Sequence, residues 1–246
     1  MVGILATESE RFRRWLELGG DGDREAIPAA TVILLRDTDA GIETLMLRRN
    51  SKLAFGGMWV FPGGRVDPED HAGDATNDPH DFDAARRAAV REAQEESGLA
   101  VDLESLVALS HWTPPPQTPK RFATWFFVAP APDGAVTIDD GEIHEHQWLA
   151  PADAIARRDG GEIELAPPTW VTLHTLAGSA TVAEALEQTA ASDPLRFVTR
   201  IAFLDDRMIA IWAGDAGYEN GDPATAGARH RLVMAKDATW TYEREF

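Results

Sequence analysis

One short segment, Arg91–Gly98, constrains this chain more than any other part of its sequence. It reads REAQEESG, and on a helix Glu92, Glu95 and Glu96 are spaced i, i+3 and i+4. At about 100° per residue, the three carboxylates fall within about 100° of each other on one face. Like charges this close repel, so a bare surface helix gains nothing from them. A bound divalent cation would turn the repulsion into attraction, and oxygen-only ligands favour Mg²⁺ or Mn²⁺.

The alternative is that this acidic face is simply solvated, and the surrounding sequence argues against it. Gly63 and Gly64 follow an apolar strand and precede an acidic loop. Glycine allows close approach of the backbone, so a carbonyl there could point at a metal. Arg91 adjoins the acidic face and could orient one carboxylate through a bidentate pair. Asp81 or Asp83 can cap the start of the helix, and Gly98 can close its end.

Hydrophobic patterning along the chain predicts an α+β fold with a mixed sheet between helices. The order is β-β-β-loop-α-β-β-β-α, followed by helices and a β-rich tail. The predicted strands are 29–35, 44–47, 58–61, 106–111, 122–128, 146–149, 196–203, 208–212 and 230–234. The predicted helices are 9–18, 83–97, 151–157, 167–176 and 182–189, and 65–82 is predicted to be a loop.

Composition excludes several classes of function. The chain has no cysteine, so thiolate metal sites and cysteine nucleophiles are absent. A net charge of −18 disfavours nucleic acid as a partner, because phosphate contacts need clustered Lys and Arg. No apolar run is long enough to span a membrane and the N-terminus lacks a secretion pattern, so we expect a cytoplasmic protein. A small basic cluster, Arg229–Leu232, either caps the site or balances nearby acids.

The sequence resembles the Nudix hydrolases, whose box has the pattern G-x5-E-x7-R-E-U-x-E-E-x-G-U, with U apolar. Arg91–Leu99 matches the second half at every constrained position, and FPGG at Phe61–Gly64 precedes it. The early glutamate of the family falls on Asp70 when counted from Gly64 and on Asp83 when counted back from Arg91. These two positions lie 13 residues apart, so the first half of the box contains an insertion and neither position holds glutamate.

The resemblance implies a Nudix-type α/β/α sandwich and a hydrolase that cleaves a diphosphate bond. It implies that Arg91 positions Glu92 and that a metal-bound water attacks phosphorus after losing a proton to a carboxylate. A further metal-linked carboxylate is expected several residues before a tryptophan, so Glu142 is the first candidate before Trp148 and Glu145 the second. The implied ligands of Mg²⁺ or Mn²⁺ are Glu92, Glu95, Glu96, the Gly63 carbonyl and Glu142.

The flanking segments Leu47–Gly64, Trp112–Ala129 and Leu165–Leu176 are similar to one branch of this family, the peroxisomal-type coenzyme A and acyl-CoA diphosphatases. We therefore expect a small nucleoside diphosphate substrate, with coenzyme A or acyl-CoA favoured. The alternatives are ADP-ribose, NADH or a dinucleoside polyphosphate, or a Nudix domain that senses nucleotides without catalysis. The candidates for substrate binding are Arg48, Arg49, Gly64, Arg65 and Arg121.

The expected domain organisation has three parts. Residues 1–25 form an N-terminal helix and linker, and residues 26–195 form the Nudix domain with its C-terminal helices. Residues 196–246 form a small β-rich extension packed on the core. Members of the family often dimerise, so a homodimer is possible.

Overall fold

The computed structural model describes residues 25–50, 57–71, 81–118, 120–138, 141–205, 207–235 and 239–245. The helix predicted over 9–18 lies outside these residues. The chain divides into two compact units. The larger unit comprises Ile27–Trp112 and Ala123–Arg196, and the described part of the smaller unit lies mainly within 113–122 and 197–245.

The larger unit is built on a mixed central sheet. Its strands are β1 (Ile27–Thr38), β2 (Gly41–Arg49), β3 (Trp59–Val60), β4 (Gly63–Arg65), β5 (Val107–Thr113), β6 (Phe122–Pro130) and β7 (Ile143–Leu149). The spatial order is β3-β2-β1-β6-β5, with β4 paired to β1 and β7 paired to β2. Strand β1 lies in the middle because its run TVILL is apolar on both faces, and Val32, Ile33 and Leu34 are fully buried.

Strand β4 was not predicted, since the preceding predicted strand ends at Phe61, before Pro62-Gly63-Gly64, and residues 65–82 are predicted to be a loop. Gly63, Gly64 and Arg65 instead pair antiparallel with Thr31, Ala30 and Ala29. Glycine has low β propensity, so sequence pattern alone gives little sign of this strand. A short 3-10 helix, Pro68–Asp70, also lies within the predicted loop.

The described residues of the larger unit form four α-helices: α1 (Phe82–Ser97), α2 (Pro151–Asp159), α3 (Pro167–Leu176) and α4 (Val182–Ala190). Helix α1 begins at its N-cap Asp81, whose carboxylate accepts a 3.0 Å hydrogen bond from the Ala84 amide. It ends at Gly98, which has φ 72° and makes the left-handed turn that glycine favours. Its alanines pack into the apolar core with Val32 and Phe127 of the sheet. Small side chains on this face let the helix, and therefore its glutamates, lie close to the sheet.

The C-terminal strands are β8 (Leu195–Val198), β9 (Arg200–Leu204), β10 (Arg207–Ile211), β11 (Arg229–Met234) and β12 (Thr241–Glu245). The last four form an antiparallel sheet in the order β12-β11-β10-β9. The single strand predicted over 196–203 is wrong, because the chain breaks at Thr199, whose amide donates to the Thr113 carbonyl and whose hydroxyl accepts from the Trp212 indole. Strand β12 was not predicted.

A buried ion pair lies inside the smaller unit. The Arg231 guanidinium donates to both carboxylate oxygens of Asp215, at 2.6 and 2.7 Å. The amides of Gly217 and His230 donate to the same carboxylate, at 2.8 and 2.9 Å. Arg231 of the basic cluster therefore balances a nearby acid. No helix in the described ranges is long and apolar enough to cross a membrane.

Candidate active site

The three glutamates of α1 lie in different environments along one face of the helix. The side chain of Glu96 is 6% exposed and that of Glu95 is 57% exposed, with Glu92 between them in burial. Burial raises the pKa of the Glu96 carboxyl to about 7, and a hydrogen bond from Gly63 and the charge of Arg49 only partly offset this effect. Burial also raises the pKa of Glu92, against the opposing charge of Arg91. A buried carboxylate gains more than an exposed one from a nearby cation.

Gly63 presents its backbone to Glu96. The Gly63 amide donates a 2.9 Å hydrogen bond to the Glu96 carboxylate. The hydrogen bonds from Val32 N–H to Pro62 O and from Val66 N–H to Pro28 O show which residue pairs of the β1–β4 ladder are hydrogen-bonded and which are not. Gly63 occupies a non-hydrogen-bonded position of that ladder, so its amide and its carbonyl both face away from β1. The expected metal-binding carbonyl therefore lies on the same edge of β4 as the Glu96 carboxylate.

Both glycines lie close to neighbouring atoms. A Cβ on Gly63 would lie 2.5 Å from the Ala30 carbonyl oxygen and 2.7 Å from Thr31 Cα. A Cβ on Gly64 would overlap the carboxylate of Glu92. The missing side chain thus lets Gly63 pair closely with β1 and lets Gly64 lie against Glu92 of α1.

Arg91 holds several acids together. Its Nη1 donates to Glu92 Oε1 at 3.0 Å and to Glu95 Oε2 at 3.1 Å. Its Nε and Nη2 donate to the two carboxylate oxygens of Asp70, at 3.1 and 2.9 Å. Its Nη2 also donates to the Arg65 carbonyl at 2.9 Å. The hydrogen bond to Asp70 is the main reason that the pKa of Arg91 is raised, against the effect of desolvation.

Asp70 is a residue of this site that the sequence prediction left undecided and did not include among the site residues. It is 4% exposed, it holds Arg91, and its carbonyl accepts from the Arg87 guanidinium. Asp83 is exposed in the first turn of α1. The spacing of six residues from Gly64 was the signal that pointed to Asp70.

The two ends of the insertion are joined by a side-chain hydrogen bond. His71 Nδ1 lies 2.8 Å from Asp81 Oδ2, and Asp81 also caps α1. The pKa of Asp81 is lowered, chiefly because its carboxylate accepts from the Ala84 amide. Because His71 directly follows Asp70, this contact brings the 3-10 helix beside the start of α1.

Arg49 and Glu142 adjoin the buried glutamate. Arg49 Nη2 lies 2.6 Å from Glu142 Oε2 and 4.0 Å from Glu96 Oε1. Arg48 points to the opposite face of β2, because side chains alternate along a strand, and its Nη1 lies 3.4 Å from Glu145 Oε2. The structure thus brings Arg49 and Glu142 to the carboxylate cluster and places Arg48 with Glu145.

The remaining candidates lie elsewhere. The Arg65 side chain is exposed and its Nη2 lies 3.5 Å from Asp67 Oδ1, while its carbonyl contacts Arg91. Arg121 belongs to the smaller unit, where its Nη2 donates to the Pro114 carbonyl at 3.3 Å. Its role in substrate binding stays a prediction.

The donor set fits a divalent metal in its chemistry. Carboxylate and carbonyl oxygens are the ligands that Mg²⁺ and Mn²⁺ prefer, and a bound cation would stabilise the charged form of the buried Glu96 carboxyl. Among the described residues, no three His, Asp or Glu side chains stand together at the spacing that holds a metal ion. In this structure the carboxylates contact the guanidinium groups of Arg91 and Arg49.

Comparisons with known proteins agree with this geometry. A family model described as the NUDIX domain matches residues 26–167, more than half of the 246-residue chain. A NUDIX hydrolase from Alicyclobacillus acidocaldarius superposes with a TM-score of 0.58 at 24% identity, covering 70% of this chain and 98% of that one. A MutT NUDIX hydrolase from Burkholderia pseudomallei gives a TM-score of 0.46 at 19% identity, covering 61% and 98%. The search of curated proteins finds no match.

Together with the family match, the mixed sheet, the acidic helix α1 and the glycines of β4 indicate a hydrolase of the diphosphatase class. With more than half of its length matched by the family model, the chain belongs to the Nudix family. It is a Nudix hydrolase that acts on substrates containing a linked nucleoside diphosphate. Enzymes of this family typically depend on divalent metal.

Proposed function

We propose that this enzyme hydrolyses the diphosphate bond of coenzyme A or acyl-CoA. The observation that carries the proposal is the buried Glu96 carboxylate, held against the backbone of Gly63 and beside Arg49. The coenzyme A preference is supported by the sequence similarity of Leu47–Gly64, Trp112–Ala129 and Leu165–Leu176 to that branch of the family. The products would be 3′,5′-ADP and a phosphopantetheine.

The proposed metal ligands are Glu92, Glu95 and Glu96, the Gly63 carbonyl and Glu142. When bound there, Mg²⁺ or Mn²⁺ would neutralise the charge of the diphosphate and lower the pKa of a water molecule.

The side chains of the cluster hold the reacting groups in place. Arg91 fixes Glu92 and Glu95 relative to Asp70, so these carboxylates keep one arrangement on the helix. Arg49 offers a planar guanidinium that suits bidentate binding of a phosphate, and Arg48, Gly64, Arg65 and Arg121 are further candidates for substrate binding. In the reaction, the oxygen of water bonds to phosphorus, the bridging P–O bond breaks, and the proton of the water passes to a carboxylate of the cluster.

We further propose residues 26–195 as the hydrolase domain, with 1–25 and 196–246 as additions to it. The family model that matches 26–167 supports this start of the domain. A homodimer and a cytoplasmic location stay predictions from the sequence.

The test is a panel of diphosphate substrates with Mg²⁺ or Mn²⁺ and identification of products by mass. The panel contains coenzyme A, acetyl-CoA, ADP-ribose, NADH and a dinucleoside polyphosphate. We expect coenzyme A and acetyl-CoA to be cleaved fastest and to release 3′,5′-ADP. Fast turnover of ADP-ribose without turnover of coenzyme A would contradict the substrate preference.

The matched variants are Glu95→Gln and Glu96→Gln, which keep the side-chain shape and remove the charge. Loss of hydrolysis of every substrate in both variants supports the proposed role of the cluster. A parent protein that binds nucleotide but hydrolyses no substrate in the panel, with binding retained in Glu95→Gln, would instead indicate a sensor.

A further inference from the structure

Arg49 joins two carboxylates that belong to different elements of the fold. Its Nη2 lies 2.6 Å from Glu142 Oε2, in the turn before β7, and 4.0 Å from Glu96 Oε1, near the end of α1. The Arg49 side chain is 20% exposed and that of Glu96 is 6% exposed. Attraction in such a partly buried group is screened less by water than attraction on an open surface. Arg49 therefore acts as a positive charge inside the proposed metal site.

The backbone around Arg49 is held firmly, so the side chain is the part that can move. The Arg49 amide donates to the Met58 carbonyl at 3.1 Å, and the Arg49 carbonyl accepts from Gly57 at 2.9 Å. The next amide, of Asn50, donates to the Glu142 carbonyl at 2.8 Å. These hydrogen bonds fix the position of the Arg49 backbone, and they keep the turn that carries Glu142 beside β2.

The Arg49 guanidinium is incompletely satisfied in this position. Its Nε is buried, and within the described part of the chain it has no hydrogen-bond partner. A buried donor without a partner is unfavourable. A phosphate, whose oxygens accept from Nε and Nη together, would satisfy the group better than the two carboxylates do. The observed position is therefore one from which the side chain gains by moving to an anionic ligand.

Two guanidinium groups divide the acids of the site between them. Arg91 contacts Asp70, Glu92 and Glu95, and Arg49 contacts Glu96 and Glu142. Arg91 is tied to Asp70 by two hydrogen bonds and by a third to the Arg65 carbonyl. Arg49 has no comparable anchor among the described contacts of its guanidinium. Of the two, Arg49 is the cation that an incoming metal ion can displace.

We propose that Arg49 is an internal counter-cation that competes with the divalent metal for Glu96 and Glu142. Metal loading releases its guanidinium, which then binds a phosphate of the substrate. The inference rests on the proposed function of this site, because it takes Glu96 and Glu142 as metal ligands. Metal binding and phosphate binding then favour each other. The metal binds the carboxylates that Arg49 leaves, and the phosphate binds the guanidinium that the metal has released.

The test measures binding of Mn²⁺ alone, without substrate, by electron paramagnetic resonance of the free ion. Arg49→Met removes the competing charge and keeps much of the side-chain bulk, and Arg48→Met is the matched control on the opposite face of β2. We expect Arg49→Met to bind Mn²⁺ about fivefold more tightly than the parent, the size expected for loss of one partly exposed ion pair. Arg48→Met should bind it with the affinity of the parent. Unchanged or weaker binding by Arg49→Met overturns the inference.

Two further measurements keep the inference testable if Arg49→Met does not fold. Arg49→Lys keeps a positive charge but lacks the planar guanidinium, so a smaller tightening of Mn²⁺ binding is expected. In the parent protein, the ¹⁵Nε resonance of Arg49 should shift as Mg²⁺ is added, while that of Arg36, which pairs with Glu43, should not. An Arg49 resonance that ignores saturating Mg²⁺ overturns the inference. Failure of every variant and the parent to bind Mn²⁺ would instead refute the proposed metal-dependent function itself.

Discussion

Replacing Asp70 by asparagine tests whether the carboxylate of Asp70, which lies before the insertion, holds Arg91 of helix α1 in position. The carboxylate of Asp70 accepts three hydrogen bonds, from Arg91 Nε at 3.1 Å, from Arg91 Nη2 at 2.9 Å and from the Asp67 amide at 2.8 Å. Asparagine keeps one oxygen and puts an NH₂ group against the donors of Arg91. Asp70→Asn therefore leaves a partly buried guanidinium facing a donor.

The magnitude follows from the burial of the pair. Removing one partner of a buried ion pair costs about 3 to 5 kcal/mol. Arg91 is 18% exposed and keeps its bonds to Glu92 and Glu95, so the lower end applies, and we expect a loss of about 3 kcal/mol. Because Arg91 also sets the positions of these two carboxylates, kcat/KM should fall as well. A displacement of about 1 Å in a catalytic group can cost about 100-fold, and this is the expected fall.

The assay combines urea unfolding of the metal-free protein with hydrolysis of the best substrate of the panel at saturating Mg²⁺. Asp83→Asn is the control, since Asp83 is exposed in the first turn of α1 and should change kcat/KM by no more than about twofold. Asp70→Glu restores the charge and should recover part of the activity lost in Asp70→Asn. Equal effects of Asp70→Asn and Asp83→Asn, both small, would refute the assignment of Asp70 as the acid that holds Arg91.

Three other substitutions test separate parts of the structure. Gly63→Ala places a Cβ 2.5 Å from the Ala30 carbonyl, so the thermal midpoint should fall with a loss of about 2 kcal/mol, and an unchanged midpoint would contradict the packing of β4. Glu96 has a folded pKa of about 7, above the ordinary 4.5, so metal-free stability falls as pH rises between these values. Glu96→Gln should thus exceed the parent by roughly 2 to 3 kcal/mol at pH 8 in urea with EDTA, a gain that shrinks toward pH 5. Asp215→Asn should lose about 3 to 5 kcal/mol at pH 7, because it leaves the buried Arg231 unpaired. The pKa of Asp215 is lowered, because its hydrogen bonds to Arg231 and to backbone amides outweigh the effect of desolvation. The stabilisation is therefore present at neutral pH and is lost as pH falls through the folded pKa. A difference between Asp215→Asn and the parent that persists undiminished in acid would contradict this pH dependence.

Much of the fold could be read from local pattern. Helix α3 has the predicted bounds, and α1 differs by one residue at its start, because capping residues and helical periodicity are encoded within a few residues of each other. Strand β4 and strand β12 were missed. Strand β4 is formed by two glycines and an arginine that carry no β signal and pair with β1 because of the path of the chain.

The candidate site likewise combines features that follow from the local sequence with features that depend on the fold. The face shared by Glu92, Glu95 and Glu96 follows from helix geometry alone, and so does the position of Arg91 next to it. The sequence did not show which of Arg48 and Arg49 faces the carboxylate cluster, because the face on which a side chain lies depends on the register of its strand in the sheet. Arg48 faces Glu145 in the regular register of β2 with β7, and the register shifts after Arg48, which places Arg49 opposite Ile143 and beside Glu142.

The sequence by itself determined the acidic face of α1, because that face depends on spacing within one short segment, and it indicated the family through Arg91–Leu99 and the preceding Phe61–Gly64. Only the tertiary structure decided that Asp70, and not Asp83, holds Arg91. The insertion separates the glycines from the helix, and spacing along a loop does not fix a distance in space. In the structure, the contacts of Arg91 with Asp70 and of His71 with Asp81 join the segments on the two sides of the insertion. Side chains on separate segments meet only when packing of the sheet and helix brings those segments together, and that is information no single segment contains.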